Sequence, residues 1–304
     1  MKKNSKIYIA DHKGFLGEAV FRTLRAKGYK NILLRARKEL DLKNQRQVDS
    51  FFKQAKPEYV FMAHQKSGGI AANMKSPADF FYENAVTEMN VIHSSAQSGV
   101  KKLLIFGASC IYPKNTSQPI KESSIFSGAV EETSEAYAMA KIAGIEMCKA
   151  YETQHGLSFV AVVPATAYGP GAHGDPENSH VLTALIDRFK KSTTQREDVI
   201  TVWGSGKPLR EFIYIEDLAN ACVFLMESKS ASGVINVGSG EEISIKNLAL
   251  LIKEVMGFKG KITFDKTKPD GAHRKFLDST KIRRLGWKPH IKLKEGIRKT
   301  WRKF

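Results

Sequence analysis

Tyr137 and Lys141 lie four residues apart in the segment Ser134-Glu-Ala-Tyr-Ala-Met-Ala-Lys-Ile-Ala-Gly144. On a helix that spacing puts both side chains on one face, a turn apart. An ammonium held beside a phenol favours the phenolate and lowers a tyrosine pKa from about 10. The expected result is a proton donor usable near neutral pH, which ketone reduction by a nicotinamide requires. Upstream, Gly107-Ala-Ser-Cys-Ile-Tyr-Pro113 follows the apolar run Leu103–Phe106 and carries Cys110 to where that helix can meet it. The pair alone is a weak signature, because nine tyrosines in a lysine-rich chain give such a match by chance.

A second constellation strengthens it. The run Lys6–Ala10 reads as a strand and is followed by Asp11-His-Lys-Gly-Phe-Leu-Gly17, then by a helical stretch. That is the place of a dinucleotide-binding loop, where glycines let a pyrophosphate reach backbone amides at a helix N-terminus. Gly14 and Gly17, with Phe15 and Leu16 between them, fit a G-x-x-G-x-x-G pattern whose first glycine is replaced by Asp11. A carboxylate there repels phosphate, and its side chain narrows the approach. The bland alternative is an ordinary strand–turn–helix corner. After the second strand an NAD-preferring site has an acidic residue for the ribose 2′-hydroxyl. This chain has Arg35-Ala-Arg-Lys38, with no carboxylate before Glu39. Arg35 and Arg37 suit a 2′-phosphate through charge and forked hydrogen bonds, so the cofactor expected is NADP(H).

The elements that must position these groups alternate. Strands are expected at Lys6–Ala10, Asn31–Arg35, Tyr59–His64, Lys102–Ala108, Phe159–Ala165 and Ile200–Trp203. Helices are expected at Gly17–Ala26, Gln45–Gln54, Phe80–Gln97, Glu135–His155, Ser179 to about Lys191, and Ser244–Met256. This alternation predicts an α/β chain with a Rossmann-type, doubly wound parallel sheet and a smaller mixed C-terminal part. The cofactor domain is expected over 1–165 with a later contribution from about 212–240, and the substrate domain over 166–211 and 241–304. Tyr168–Asn178, rich in glycine and proline, reads as a loop.

Of the 304 residues, 42% are hydrophobic and 26% charged, ordinary for a globular protein. No apolar run is long enough for a membrane span or a secretory signal. Three widely spaced cysteines, Cys110, Cys148 and Cys222, suggest reduced thiols in a cytoplasm and show no metal-binding spacing. Forty-eight Lys and Arg against thirty-one Asp and Glu give a net charge of +17. Ten of the basic residues fall in Lys281–Phe304, which reads as a basic helix with Ile297 and Trp301 as its buried stripe. No nucleic-acid-binding signature accompanies the charge, so neither nucleic acid nor a membrane is the expected partner; small polyanionic ligands are.

With these pieces in place the chain resembles the GDP-L-fucose synthases among the extended short-chain dehydrogenases/reductases. The resemblance is carried by His64-Gln-Lys-Ser-Gly-Gly-Ile-Ala-Ala-Asn73, Pro77-Ala-Asp-Phe80, Ser109-Cys-Ile-Tyr-Pro113, Ala136–Gly144, Asn178-Ser-His-Val181, Val202-Trp-Gly-Ser-Gly206, Arg210-Glu-Phe212 and Lys268-Pro-Asp-Gly271. It implies epimerisation of a GDP-4-keto-6-deoxymannose at C3 and C5, then NADPH reduction at C4. Cys110 and His180 take the roles of epimerisation base and acid, Tyr137 becomes the proton donor to the C4 oxygen, and Lys141 holds the phenol and the nicotinamide ribose of the cofactor. Ser109 is added as a neighbouring catalytic hydroxyl. The resemblance places Ala63, His64, Pro164 and His180 beside the cofactor. It places Ser109, Cys110, Arg188, Trp203, Arg210, Asp270 and Lys275 around the GDP-sugar, and implies a homodimer. His180 is alternatively a helix-start residue capped by Ser179, Cys110 a small core residue, and Trp203 a core aromatic at a strand end.

Three positions depart from that pattern. Asp11 is one. Ala108 stands where the family has a serine bonded to the ketone oxygen, and Ser109 would face the other way if the strand continued. Thr166, in Pro164-Ala-Thr-Ala-Tyr-Gly-Pro170, replaces an amide side chain. The alternatives left open are a C4 reductase for a related GDP-4-keto sugar, such as a 6-deoxy-heptose, and a binding-only homologue.

Overall fold

The computed structural model describes residues 1–172, 180–268 and 270–303; Asn178, Ser179 and Pro269 of the motifs above fall outside the described residues. The first half alternates β1 (Ile7–Ala10), α1 (Phe15–Ala26), β2 (Ile32–Leu34), α2 (Gln45–Ala55) and β3 (Tyr59–Met62). It continues with α3 (Ile70–Lys75), α4 (Pro77–Gln97), β4 (Lys102–Phe106), α5 (Glu135–His155) and β5 (Phe159–Pro164). There follow β6 (Thr166–Tyr168), α6 (Val181–Gln195), β7 (Val199–Trp203), β8 (Leu209–Tyr214), α7 (Ile215–Glu227) and β9 (Gly233–Val237). The chain closes with β10 (Glu242–Ser244), α8 (Ile245–Met256), β11 (Lys261–Asp265), β12 (Arg274–Lys275), α9 (Thr280–Arg284) and α10 (Leu293–Trp301).

Six parallel strands form the central sheet in the order β2-β1-β3-β4-β5-β9. Its inner strands are near-continuous apolar runs, buried throughout in β1 and β4, because helices cover both faces. The order reverses between β1 and β3, and a crevice opens at their carboxyl ends, where doubly wound sheets bind ligands. One apolar core packs around this sheet and includes residues of β9 and α7.

A second core gathers Tyr168, α6, β7, Phe212, Tyr214, α8 and Ile297. Here β8 pairs with β10, β12 and β6, while β7 pairs with β11. The second core therefore draws on segments from both sides of β9 in the chain. The basic C-terminal stretch is two helices, α9 and α10, rather than one. The first ends at Gly286, whose φ of 102° suits glycine, and Pro289 lies in the connection. On α10 Ile297 is fully buried and Trp301 half-buried, as the periodicity predicts. No described helix is long and apolar enough to cross a membrane.

Candidate active site

β1 runs straight into the nucleotide crevice. The chain turns at Asp11 with φ 59°, a conformation natural to glycine and tolerated by aspartate. Gly14 precedes the first turn of α1 and donates its N–H to the Asp11 carbonyl at 2.9 Å. A methyl at Gly17 would overlap that same carbonyl, so the helix approaches the loop as closely as a cradle for phosphate requires. Phe15 is half-buried and Leu16 buried, anchoring the loop.

The Asp11 carboxylate is matched by the Arg37 guanidinium, with the His64 ring beside it. Arg37 forks onto it, Nη2 at 2.8 Å and Nε at 3.2 Å, and His64 Nδ1 lies 3.5 Å away. Burial pushes the Asp11 pKa up, but the hydrogen bonds and charges of His64 and Arg37 outweigh it and hold the carboxyl below the usual range. Arg35 donates to the Leu34 carbonyl at 2.8 Å and lies over the Phe51 ring. Asp11, Arg35, Arg37, Leu40, Lys43 and His64 line a cavity of about 290 Å³ at the switch between β1 and β3. A close glycine loop at a helix N-terminus, with two arginines past β2, fits a dinucleotide bearing a 2′-phosphate. Ala63 and His64 are buried just after β3, and Pro164 is half-buried at the end of β5.

α5 turns Tyr137 and Lys141 inward together. The Tyr137 hydroxyl donates to Gln65 Oε1 at 3.4 Å, and Phe80 meets its ring edge-on. Lys141 spends its charge elsewhere: its ammonium pairs with Glu88 of α4, both side chains fully buried. The expected lowering of the Tyr137 pKa is absent. Burial, followed by the charges of Cys110 and Glu88, raises it well above its usual value.

β4 stops at Phe106, and Ser109–Ile111 form a 3-10 turn, so Ser109 is no longer bound by strand alternation. Ala108, Ser109 and Cys110 are consecutive half-buried residues. Burial raises the Cys110 pKa, opposed by the charges of Lys275 and Lys141 and by a hydrogen bond with Ser134. His180 is solvent-accessible at the residue before α6. The protein around it, then the charge of Lys275, lower its pKa. Cys110 and His180 thus both feel the charge of Lys275, and Tyr137 feels Cys110.

On the other side, Trp203 is 62% exposed at the end of β7, with the Lys268 amine 5.5 Å from its ring centre. Arg188 of α6 donates to the Thr201 carbonyl. Asp270 accepts from the N–H and hydroxyl of Ser205 at 2.8 and 2.6 Å, tying down the loop after Trp203. Arg210 donates to the carbonyls of Leu209 and Ala272, and its strand pairs it with Lys275. Burial first, and mutual repulsion with Arg210, lower the Lys275 pKa, so two crowded cations stand ready for an anion. Thr166 opens β6, paired with Phe212.

Two residues of this site were not singled out in the sequence. Glu211 is buried and accepts from the Gly240 and Leu277 N–H groups, fixing the loop before β10 to the strand end beyond Lys275. Glu88 is the partner of Lys141. Its spacing three residues after Ala85 and four before Ile92 on an apolar helical stripe is the signal that marks it as buried.

The signature of the NAD dependent epimerase/dehydratase family matches residues 7–238. The chain belongs to that family. A putative GDP-L-fucose synthase 2 of Arabidopsis thaliana is 51% identical over 301 residues, covering 99% of this chain and 92% of the plant protein. A GDP-6-OMe-4-keto-L-xylo-heptose reductase of Campylobacter jejuni superposes with a TM-score of 0.91 at 37% identity, covering 99% and 98% of the two chains. A GDP-mannoheptose C4 reductase of the same organism, with NADP bound, does so at 0.89 and 39%, covering both chains completely. Within the epimerase/dehydratase family the chain therefore sits among GDP-sugar enzymes over its whole length, as the motifs imply.

Proposed function

We propose that this family member is an NADPH-dependent nucleotide-sugar oxidoreductase: it epimerises C3 and C5 of a GDP-4-keto-6-deoxy sugar and reduces the C4 ketone, as in GDP-L-fucose synthesis. The observation that carries the reading is the buried pair Tyr137 and Lys141 on one face of α5 beside the nucleotide crevice, with Cys110 in the turn that follows β4. Protons next to a ketone are acidic because the enolate spreads charge onto oxygen, so epimerisation needs a base and an acid on opposite faces. Cys110 and His180 take these roles. Tyr137 protonates the C4 oxygen, with Ser109 at the same carbonyl.

NADP(H) supplies the hydride. Gly14–Gly17 cradle its pyrophosphate, Arg35 and Arg37 meet its 2′-phosphate, and Ala63, His64 and Pro164 border it. Trp203 offers an exposed ring to the guanine, while Arg188, Arg210 and Lys275 face the diphosphate. Asp270 holds the Trp203 loop for that contact. Residues 1–165 and about 212–240 form the cofactor domain, and 166–211 with 241–304 the substrate domain. A homodimer formed through α4 and α5, in a reducing cytoplasm that keeps the three thiols free, completes the reading.

A second reading is favoured by Ala108, whose methyl removes a donor at the ketone, and by the heptose reductases among the structural neighbours. Here the substrate is a related GDP-4-keto sugar and only C4 is reduced. Cys110→Ser separates the two. Under the epimerase reading it slows deuterium incorporation beside the ketone by roughly a hundredfold or more. Hydride transfer to an already epimerised sugar should be far less affected. Equal slowing of both steps removes Cys110 from epimerisation.

A further inference from the structure

Gln65 stands in the loop that leaves β3, and its Oε1 accepts from the Tyr137 hydroxyl at 3.4 Å. Among the described residues that is the hydroxyl's one hydrogen bond, and the Gln65 amide NH2 donates to nothing. The loop around it is firmly held. Asn84 of α4, 1% exposed, takes the Lys66 N–H on Oδ1 at 3.0 Å and returns Nδ2 to the Lys66 carbonyl at 2.9 Å. Asn73 of α3 donates to the Gly68 and Gly69 carbonyls at 3.1 and 2.9 Å. A methyl at Gly68 would come within 3.1 Å of the Phe80 ring, and that same ring meets Tyr137 edge-on. Two buried amides thus spend their hydrogen bonds on irregular chain, and the loop they fix delivers the Gln65 side chain to Tyr137.

The contact itself is loose. Bonds from hydroxyl to oxygen run to about 3.0 Å, and catalytic hydrogen bonds are often long until substrate arrives. A glutamine amide carries one acceptor and two donors about a terminal torsion that is roughly two-fold, so half a turn puts an N–H where Oε1 stands. We propose that Gln65 is a catalytic residue for the ketone reduction: its amide N–H donates to the C4 oxygen beside the Tyr137 hydroxyl and supplies the donor that Ala108 lacks. The proposal rests on Tyr137 being the proton donor. As the C4 carbon takes hydride from NADPH, leaving NADP+, its oxygen takes the Tyr137 proton. Gln65 keeps both of its protons and steadies the charge building on that oxygen. Such an oxygen accepts up to three hydrogen bonds, so Gln65 joins Tyr137 and Ser109 without displacing either. Ala108, half-buried before the Ser109–Ile111 turn, brings only a methyl. Tyr137 is buried, so charge forming beside it is poorly hydrated, and a preorganised donor takes the place of the missing water.

Two assays test this. In turnover with NADPH and GDP-4-keto-6-deoxymannose, Gln65→Met should lower kcat about a hundredfold while KM for the sugar changes little. Ala108→Ser should then restore about tenfold in the Gln65→Met protein yet raise the parent rate less than about threefold, because the two donors serve one oxygen. The second assay needs no turnover. It reads the carbonyl 13C resonance of the sugar, labelled at C4 and bound beside NADP+, which cannot reduce it. Donors to the oxygen deshield that carbon, so Gln65→Met should move the resonance upfield and added Ala108→Ser should move it back. A glutamine that only holds the loop gives no such rescue. Gln65→Leu repeats both readings if Gln65→Met does not fold. Equal gains from Ala108→Ser in both backgrounds, or an unmoved resonance in the folded variant, overturn the proposal. A parent protein that binds the sugar without reducing it, or undiminished turnover in Tyr137→Phe, counts against the reductase reading, whereas an unmoved resonance counts against Gln65 alone. A sugar that does not bind the parent protein overturns both.

Discussion

In the proposed cofactor loop Asp11 stands at a glycine position, and its carboxylate holds the Arg37 guanidinium that is proposed for the 2′-phosphate. The backbone accepts the change because aspartate tolerates φ 59°, and the charge is accepted because Arg37 and His64 surround it. Cofactor binding must then loosen or share that pair. Arg37 is largely exposed, so the effect is modest, about 1 kcal/mol or less. Asp11→Gly should tighten NADPH binding several-fold in a fluorescence titration; equal or weaker binding would show that Asp11 is harmless or helpful. The sign with pH is also defined. A carboxyl held below its unfolded pKa contributes stability above the unfolded value, near pH 4, and loses it as pH falls further. The parent protein should therefore lose stability more steeply than Asp11→Gly below pH 4. At this scale the sequence showed the chemistry-bearing residues but not their partners. Tyr137 and Lys141 were legible as a pair, yet the charge of Lys141 is taken by Glu88, which is 53 residues away. That partnership depends on how α4 packs on α5, which no local spacing reveals. Likewise, whether Ser109 could replace the donor lost at Ala108 depended on where β4 stopped.

The elements were legible where their periodicity was strong. Apolar runs gave β1, β3, β4 and β5, and amphipathic stretches gave α1, α2, α4 and α5 within a few residues, since burial on one or both faces writes itself into composition. The short strands β6, β10 and β12 were not legible, because two or three residues carry no period and their pairing with β8 is non-local. The basic tail read as one helix because charge and Ile297 dominated the pattern, while Gly286 and Pro289 divide it. One further feature of the elements calls for a partner. Tyr82 and Met89, seven residues apart on one face of α4, are exposed together with Phe81 and with Met139 of the adjoining α5. This is the face proposed for the homodimer. Sedimentation equilibrium should return twice the mass of one chain, and Met89→Asp should shift the population towards the single chain without unfolding it. A parent protein sedimenting as a single chain would refute that assembly.

At the scale of the whole molecule, the parallel sheet bears the nucleotide crevice and α5 carries the tyrosine proposed as proton donor, while the strands packed on the second core bear Trp203, Arg210 and Lys275. The net charge of +17 finds a use in this arrangement, since a dinucleotide phosphate and a sugar diphosphate must lie close together. The family and its GDP-sugar chemistry were legible in the motifs because several of them are long and specific. Which sugar is turned over depends on small changes such as Ala108 and Thr166 inside an otherwise matching site. The most direct test is NADPH oxidation with freshly prepared GDP-4-keto-6-deoxymannose, followed by NMR of the product. The account predicts NADPH consumption matched by GDP-L-fucose, inverted at C3 and C5. NADPH that binds but is not consumed with this sugar, or a product reduced at C4 with C3 and C5 unchanged, would contradict it.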